Sequence, residues 1–143
     1  MGEPDLVDAI LDGKIIYDKT KPIKENLVFA KENSTYSGQV DKKSYRDGIG
    51  RDINSKLKFL YEGEFKNNKA HGYGRVIYNN GNAYVGEVKN GEMFGVGTVY
   101  FFTGKYKGRT LEGEYVRSRC VNKCVWGKLN NDDKWKTYHI KKD

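Results

Sequence analysis

The sequence predicts an all-β fold: a thin structure of repeated β-hairpins with a short N-terminal helix. Three observations predict it. Of 143 residues only 37% are hydrophobic, while Gly reaches 17 and Tyr 11 copies. That suits a thin sheet in which tyrosine rings supply buried area and glycines allow turns and close backbone approach. Second, Tyr61-Glu62-Gly63-Glu64-Phe65 returns 23 residues later as Tyr84-Val85-Gly86-Glu87-Val88. Third, each block reaches a Gly-x-Gly at the same offset, Gly72-Tyr73-Gly74 and Gly95-Val96-Gly97, and an aromatic follows each, Tyr78 and Phe101. Self-similarity at a fixed period marks a repeat architecture.

Taken in order, residues 4–12 suit a helix, with Pro4 at its first position and Gly13 just past its end. Leu6, Val7, Ile10 and Leu11 share one face. So short a helix must pack on something, and a cap over the N-terminal sheet edge is expected, a docking helix being the alternative. Lys14–Tyr17 and Asn26–Phe29 read as strands separated by a loop over Asp18–Glu25, which contains Pro22. A decayed copy of the repeat follows, Tyr36-Ser37-Gly38-Gln39-Val40 leading to Gly48-Ile49-Gly50.

In the first full copy Tyr61, Gly63 and Phe65 alternate with Glu62, Glu64 and Lys66, so one face is aromatic and the other charged. Asn67–His71 reads as a polar turn, and Asn79–Asn82 as the turn into the next unit. The strand glycines are expected to leave room for rings from the following hairpin. A fourth copy starts at Leu111-Glu112-Gly113-Glu114-Tyr115, after the insert Lys105–Thr110, and lacks the Gly-x-Gly. Val125–Leu129, a turn at Asn130–Asp133 and Trp135–Ile140 then read as a divergent last hairpin. Atypical ends are usual for repeat arrays, because they cap them. The chain divides accordingly into 1–35, 36–117 and 118–143.

Tyr-Glu-Gly-Glu-Phe, a Gly-x-Gly, an aromatic and an Asn-Gly together resemble the MORN repeat (membrane occupation and recognition nexus). Residues 61–83 follow its pattern almost throughout, 84–101 nearly so, and the resemblance extends over roughly 36–117. It implies an elongated antiparallel sheet of stacked β-hairpins, curved around an aromatic-lined groove, and a binding or assembly role rather than one activity. The groove would use Tyr61, Phe65, Tyr73, Tyr78, Tyr84 and Phe101 to hold an extended segment or helix of a protein partner in a multi-subunit assembly. Ciliary and cytoskeletal assemblies are among the settings the resemblance implies, for a chain otherwise expected in the cytoplasm.

The formal charge of +7 suits an acidic partner or ordinary solubility. Lys105, Lys107, Arg109, Arg117, Arg119 and Lys123, interleaved with Tyr106 and Tyr115, give the alternative reading of a peripheral membrane module binding anionic phospholipid. No nucleic-acid module is recognisable, so nucleic acid is not an expected partner. Cys120 and Cys124 are spaced Cys-x3-Cys without a second pair, short of a zinc pattern, and free thiols are expected. His71 stands where Phe94 stands in the next copy, which makes it structural. Glu64, Glu87 and Glu114 recur in register and read as a solvated row. The Gly-x-Gly pairs have no helix after them, as a dinucleotide site requires. No enzyme, cofactor or metal site is expected. No apolar stretch approaches a membrane span, and neither a secretory nor a myristoylation signal is recognisable.

Overall fold

The computed structural model describes residues 18–130. The expected helix at 4–12, the strand at Lys14–Tyr17 and the returning strand at Trp135–Ile140 lie outside the described residues. Within them the chain forms one nine-stranded sheet, and strand order follows chain order throughout. The strands are β1 (Ile23–Phe29), β2 (Ser34–Val40), β3 (Arg46–Asn54), β4 (Phe59–Lys66), β5 (Lys69–Ile77), β6 (Ala83–Lys89), β7 (Glu92–Phe101), β8 (Arg109–Val116) and β9 (Arg119–Lys128). Every neighbouring pair is antiparallel. The ladders β1–β2 and β8–β9 make the flanking segments continuous with the repeat array.

Turn chemistry sets the registers. Asn67 and Asn68 both adopt the left-handed conformation, with φ of 51° and 67°, so β4 turns into β5 through two residues. That twist matches the flanking strands, and Asn tolerates it. The polar turn expected to run to His71 is therefore shorter, and Lys69, Ala70 and His71 already belong to β5. Asn90-Gly91 makes the equivalent β6–β7 turn, and Arg117-Ser118 repeats it with φ of 49° and 64°. The loop expected over Asp18–Glu25 ends at Pro22, because an irregularity at Asn26 (φ 55°) lets β1 start at Ile23.

The main core lies on one face, and Leu60, Ile77 and Ala83 form a smaller buried cluster on the other. Tyr36, Val40, Tyr61, Phe65, Tyr84, Val88, Met93 and Tyr115 form a single buried cluster. The rings of Tyr36, Tyr61 and Tyr84 lie on Gly50, Gly74 and Gly97 of the adjacent strand, where a Cβ would collide with the hydroxyl end of the ring. Each hydroxyl donates to a carbonyl: Gln39 O at 2.6 Å, Glu64 O at 2.9 Å and Glu87 O at 2.6 Å. Ring and glycine belong to the same hairpin, not to successive ones as the sequence suggested, because Tyr61 and Gly74 sit on the paired strands β4 and β5. Edge-to-face contacts then join rings across the sheet: Tyr36–Phe65 and Tyr61–Phe65 at 5.0 Å, and Tyr84–Tyr115 at 5.3 Å.

The other face departs from the simple charged face expected. Arg51, Glu62 and Arg75 stand side by side on β3, β4 and β5. Glu62 is only 2% exposed. It accepts from Arg51 Nε at 3.0 Å and pairs with Arg75 through its other oxygen. Register put two guanidiniums beside one carboxylate, which is what makes its burial tolerable.

The fourth hairpin changes the tyrosine–glycine pair. Leu111 replaces the tyrosine, and Cys124 lies against Gly113 where the other hairpins have their second glycine. Cys120 and Cys124 form a disulfide, so the expectation of free thiols is corrected. Residues four apart in a regular strand stand about 13 Å apart. Here two register irregularities and a left-handed Lys123 (φ 53°) bring their Cα atoms to 6.1 Å.

Candidate functional site

The six aromatics assigned to one groove do not share one surface. Tyr61, Phe65 and Tyr84 are 3%, 5% and 0% exposed and belong to the core, where Tyr78 packs against them half-buried. Tyr73 points from the reverse face, since it pairs with Glu87 two residues along from Arg75. Phe101 sits at the end of β7 with Tyr106 and Trp126. Two surfaces replace the single platform.

The first is an open groove of about 690 Å³ on the reverse face. Its walls include Tyr73, Val85, Phe94, Val96, Thr98 and Tyr100, with His71 at its margin. Lys89 Nζ stands 5.0 Å from the Phe94 ring. Glu64 and Glu87 line it too, but not as a free carboxylate row. Glu64 Oε1 accepts the Tyr73 N–H at 2.8 Å, and Glu87 Oε1 accepts the Val96 N–H at 3.3 Å. Gln39 Oε1 does the same for Ile49 N–H at 2.8 Å. These side chains satisfy a backbone donor where the ladder shifts. In the fourth hairpin Glu114 accepts from the Asn122 amide at 3.0 Å instead. Gly72 (φ +114°) makes the arrangement possible, because a Cβ there would strike the Glu64 carboxylate. The signal was present as a recurring Gln/Glu two residues after the strand's first aromatic-plus-one position. Its meaning needed the register. Glu64→Ala is expected to cost about 1–2 kcal/mol and Glu64→Gln much less, as read from urea unfolding midpoints.

The second surface is a corner of aromatic rings and cations. Phe101–Tyr106, Tyr106–Trp126 and Phe101–Trp126 have centroids 5.4, 5.0 and 5.9 Å apart. Lys105 Nζ lies 5.5 Å from the Tyr106 ring and the Arg109 guanidinium 5.9 Å from that of Trp126. Lys128 pairs with Arg109 across the ladder, and Lys107 lies in the same β7–β8 loop. Trp126 is 45% exposed. The sequence missed Trp126 and Lys128 as neighbours of Phe101, because only the β7–β8–β9 register brings them together.

Of the remaining cations in the basic stretch, Arg117 and Arg119 lie at the opposite end of β8, about 25 Å away at the usual rise per residue. Lys123 lies in the β9 irregularity, 3.8 Å from Glu114. The six residues, contiguous in sequence, are thus divided along the strand. Among the described residues no three His, Cys, Asp or Glu side chains gather as metal ligands would. No helix there is long and apolar enough to cross a membrane.

The MORN repeat family model matches residues 61–83 and 84–106. No curated protein matches the chain. Hairpins β2–β3 and β8–β9, outside the matched residues, extend the same sheet. Repeats of this family are non-enzymatic in general and occur in membrane-binding and protein-interaction modules. The strands from β4 to β7, at the centre of the sheet, are thus two MORN repeats.

Proposed function

We propose that this protein is a non-enzymatic interaction module that holds a partner protein within a larger assembly, of the ciliary or cytoskeletal kind its repeats suggest. The observation that carries the reading is the groove over β5–β7. It lies on the face that the tyrosine core does not occupy, and its exposed apolar side chains, Phe94 at 40% and Val96 at 57%, are not needed to close that core. An extended partner segment fits such a furrow, with the Tyr73 and Tyr100 rings as walls and apolar contact along Val85 and Val96.

The test is quantitative affinity purification from the native source with wild type, Phe94→Asp and Val96→Asp. Both side chains are exposed, so the variants should unfold at the wild-type midpoint while losing the same set of co-purifying proteins about tenfold or more. An unchanged set would sink the groove reading.

A second reading is favoured by the aromatic and basic corner. Lys105, Lys107 and Arg109 at an anionic membrane would contribute about 1 kcal/mol each, and Tyr106 and Trp126 are residue types enriched at that interface. Sedimentation with phosphatidylserine vesicles at physiological salt, for wild type and Lys105→Glu/Lys107→Glu, separates the two. Vesicle binding lost in the charge-reversed variant supports lipid, and no vesicle binding by wild type removes it.

A further inference from the structure

Traced backwards from β1, the chain turns inward across the sheet. Pro22 O accepts the Val40 N–H of β2 at 2.9 Å, and Lys21 pairs with Asp47 of β3 at 3.2 Å. Asp18 O accepts from the Gln39 side-chain amide at 2.5 Å. Asp18 and Lys21 line a pocket of about 300 Å³ with Gln39 and Ile49, and with Glu64, His71 and Gly72. Those last three also line the β5–β7 groove, so the two cavities form one furrow across the reverse face. The chain that leads into β1 therefore starts at one end of that furrow.

One repeat position shows the effect. Ile49, Tyr73 and Val96 are the middle residues of the three Gly-x-Gly units. Among the described residues Ile49, which shares its pocket with Asp18 and Lys21, is 2% exposed, while Val96 is 57% exposed and Tyr73 is intermediate. Cover is lost with distance from the incoming chain. Residues 1–17 directly precede Asp18 and have the reach to continue it. From β3 to β7 is about 19 Å at the usual strand spacing. Residues 13–17 extended span about 17 Å, and residues 4–12 as a helix about 14 Å. That stretch offers Leu6, Val7, Ile10 and Leu11 on one helical face, and so short a helix needs a surface to pack on. Residues 1–13 carry Glu3, Asp5, Asp8 and Asp12 and no Lys or Arg. Lys66 and Lys89 line the furrow, while Glu64 and Glu87 there accept backbone N–H groups.

We infer that residues 4–12 dock as an amphipathic helix in the furrow over β5–β7, their apolar face against Phe94 and Val96, instead of capping the β1 edge. On the reading proposed above, in which this groove holds a partner, the segment is a built-in competitor that the partner has to displace.

The test is nuclear magnetic resonance on the full chain with a nitroxide attached at Ala9→Cys, the native cysteines being joined to each other. The amide signals of Tyr73, Phe94 and Val96 are expected to be lost by proximity to the label at every protein concentration. Leu6→Asp/Ile10→Asp should restore them, and Val96→Asp should restore those of Tyr73 and Phe94. Circular dichroism checks that both variants keep the sheet. Loss along Ile23–Phe29 instead would mean an edge cap and overturn the inference. So would full signals throughout, losses that vanish on dilution and hence come from a second copy, or groove signals lost to a label at Lys134→Cys in the C-terminal tail but not to the one at Ala9→Cys. Competition is read separately: Leu6→Asp/Ile10→Asp should raise severalfold the recovery of the proteins that Phe94→Asp loses, and unchanged recovery would overturn the competition. The nitroxide result holds whether or not Phe94→Asp loses any protein, so the docking and the partner reading fail independently.

Discussion

Replacing Gly74 with alanine is expected to destabilise the sheet by about 3 kcal/mol, the upper range for forcing a methyl group into a packed interior. The added Cβ would collide with the hydroxyl end of the Tyr61 ring, and that residue is 3% exposed, with its hydroxyl held by Glu64 O. It has no free direction in which to move. Gly91→Ala is the control: nothing lies within 4 Å of its Cβ position, and only its φ of +84° opposes the change, at about 1–2 kcal/mol. Urea unfolding of the two variants measures the difference. The fourth hairpin indicates the compensation, since Leu111 takes the tyrosine position where Cys124 replaces the glycine. Tyr61→Leu/Gly74→Ala should therefore be more stable than the sum of its single changes by about 2 kcal/mol, within the range of direct contacts. Simple additivity would mean that the ring is not what excludes the methyl group.

Alkaline solution should unfold this protein abruptly, between about pH 10 and 12. Burial pushes the phenols of Tyr36, Tyr61 and Tyr84 well above their usual value, and those of Tyr78 and Tyr115 up to about 12. Below pH 10 folded and unfolded chains both keep these protons, and stability is unaffected. Above it the unfolded chain ionises first, so each phenol withdraws about 1.4 kcal/mol per pH unit until its folded-state value is passed. Several acting together remove an amount comparable to the whole stability of a domain, about 5–15 kcal/mol. The share of the phenolate absorbance that belongs to these five of the eleven tyrosines should appear only together with the loss of the far-ultraviolet dichroism, in one step. Phenolate absorbance from all eleven with the sheet intact would show that the buried rings are accessible.

How far the sequence could be read follows from which contacts run along the chain. Tyr61, Gly63 and Phe65 show their alternation directly, so the face carrying the core was legible before any coordinates. Glu62 and Glu64 look equivalent in sequence yet meet different fates. One is buried because Arg51 and Arg75 stand across from it, and the other accepts the Tyr73 N–H where the ladder shifts. Neither partner is close in the chain. The corner at Phe101 was half visible for the same reason: Tyr106 lies in the neighbouring loop, but Trp126 arrives only through the pairing of β8 with β9. Cys120 and Cys124 are near in sequence, and it was the bend at Lys123 that could not be foreseen.

Strand order that copies chain order has a mechanical consequence. Among the described residues, the backbone ladders of each strand from β2 to β8 run only to the strands just before and just after it in the chain. Tension applied between the two ends would meet the backbone bonds one ladder at a time, as in opening a zipper, rather than shearing many at once. Such a sheet yields stepwise and reforms in short local moves, since no step has to close a long loop. A body built this way can serve as a compliant link between the things it joins, lengthening under load by whole hairpins while the rest of the array stays folded.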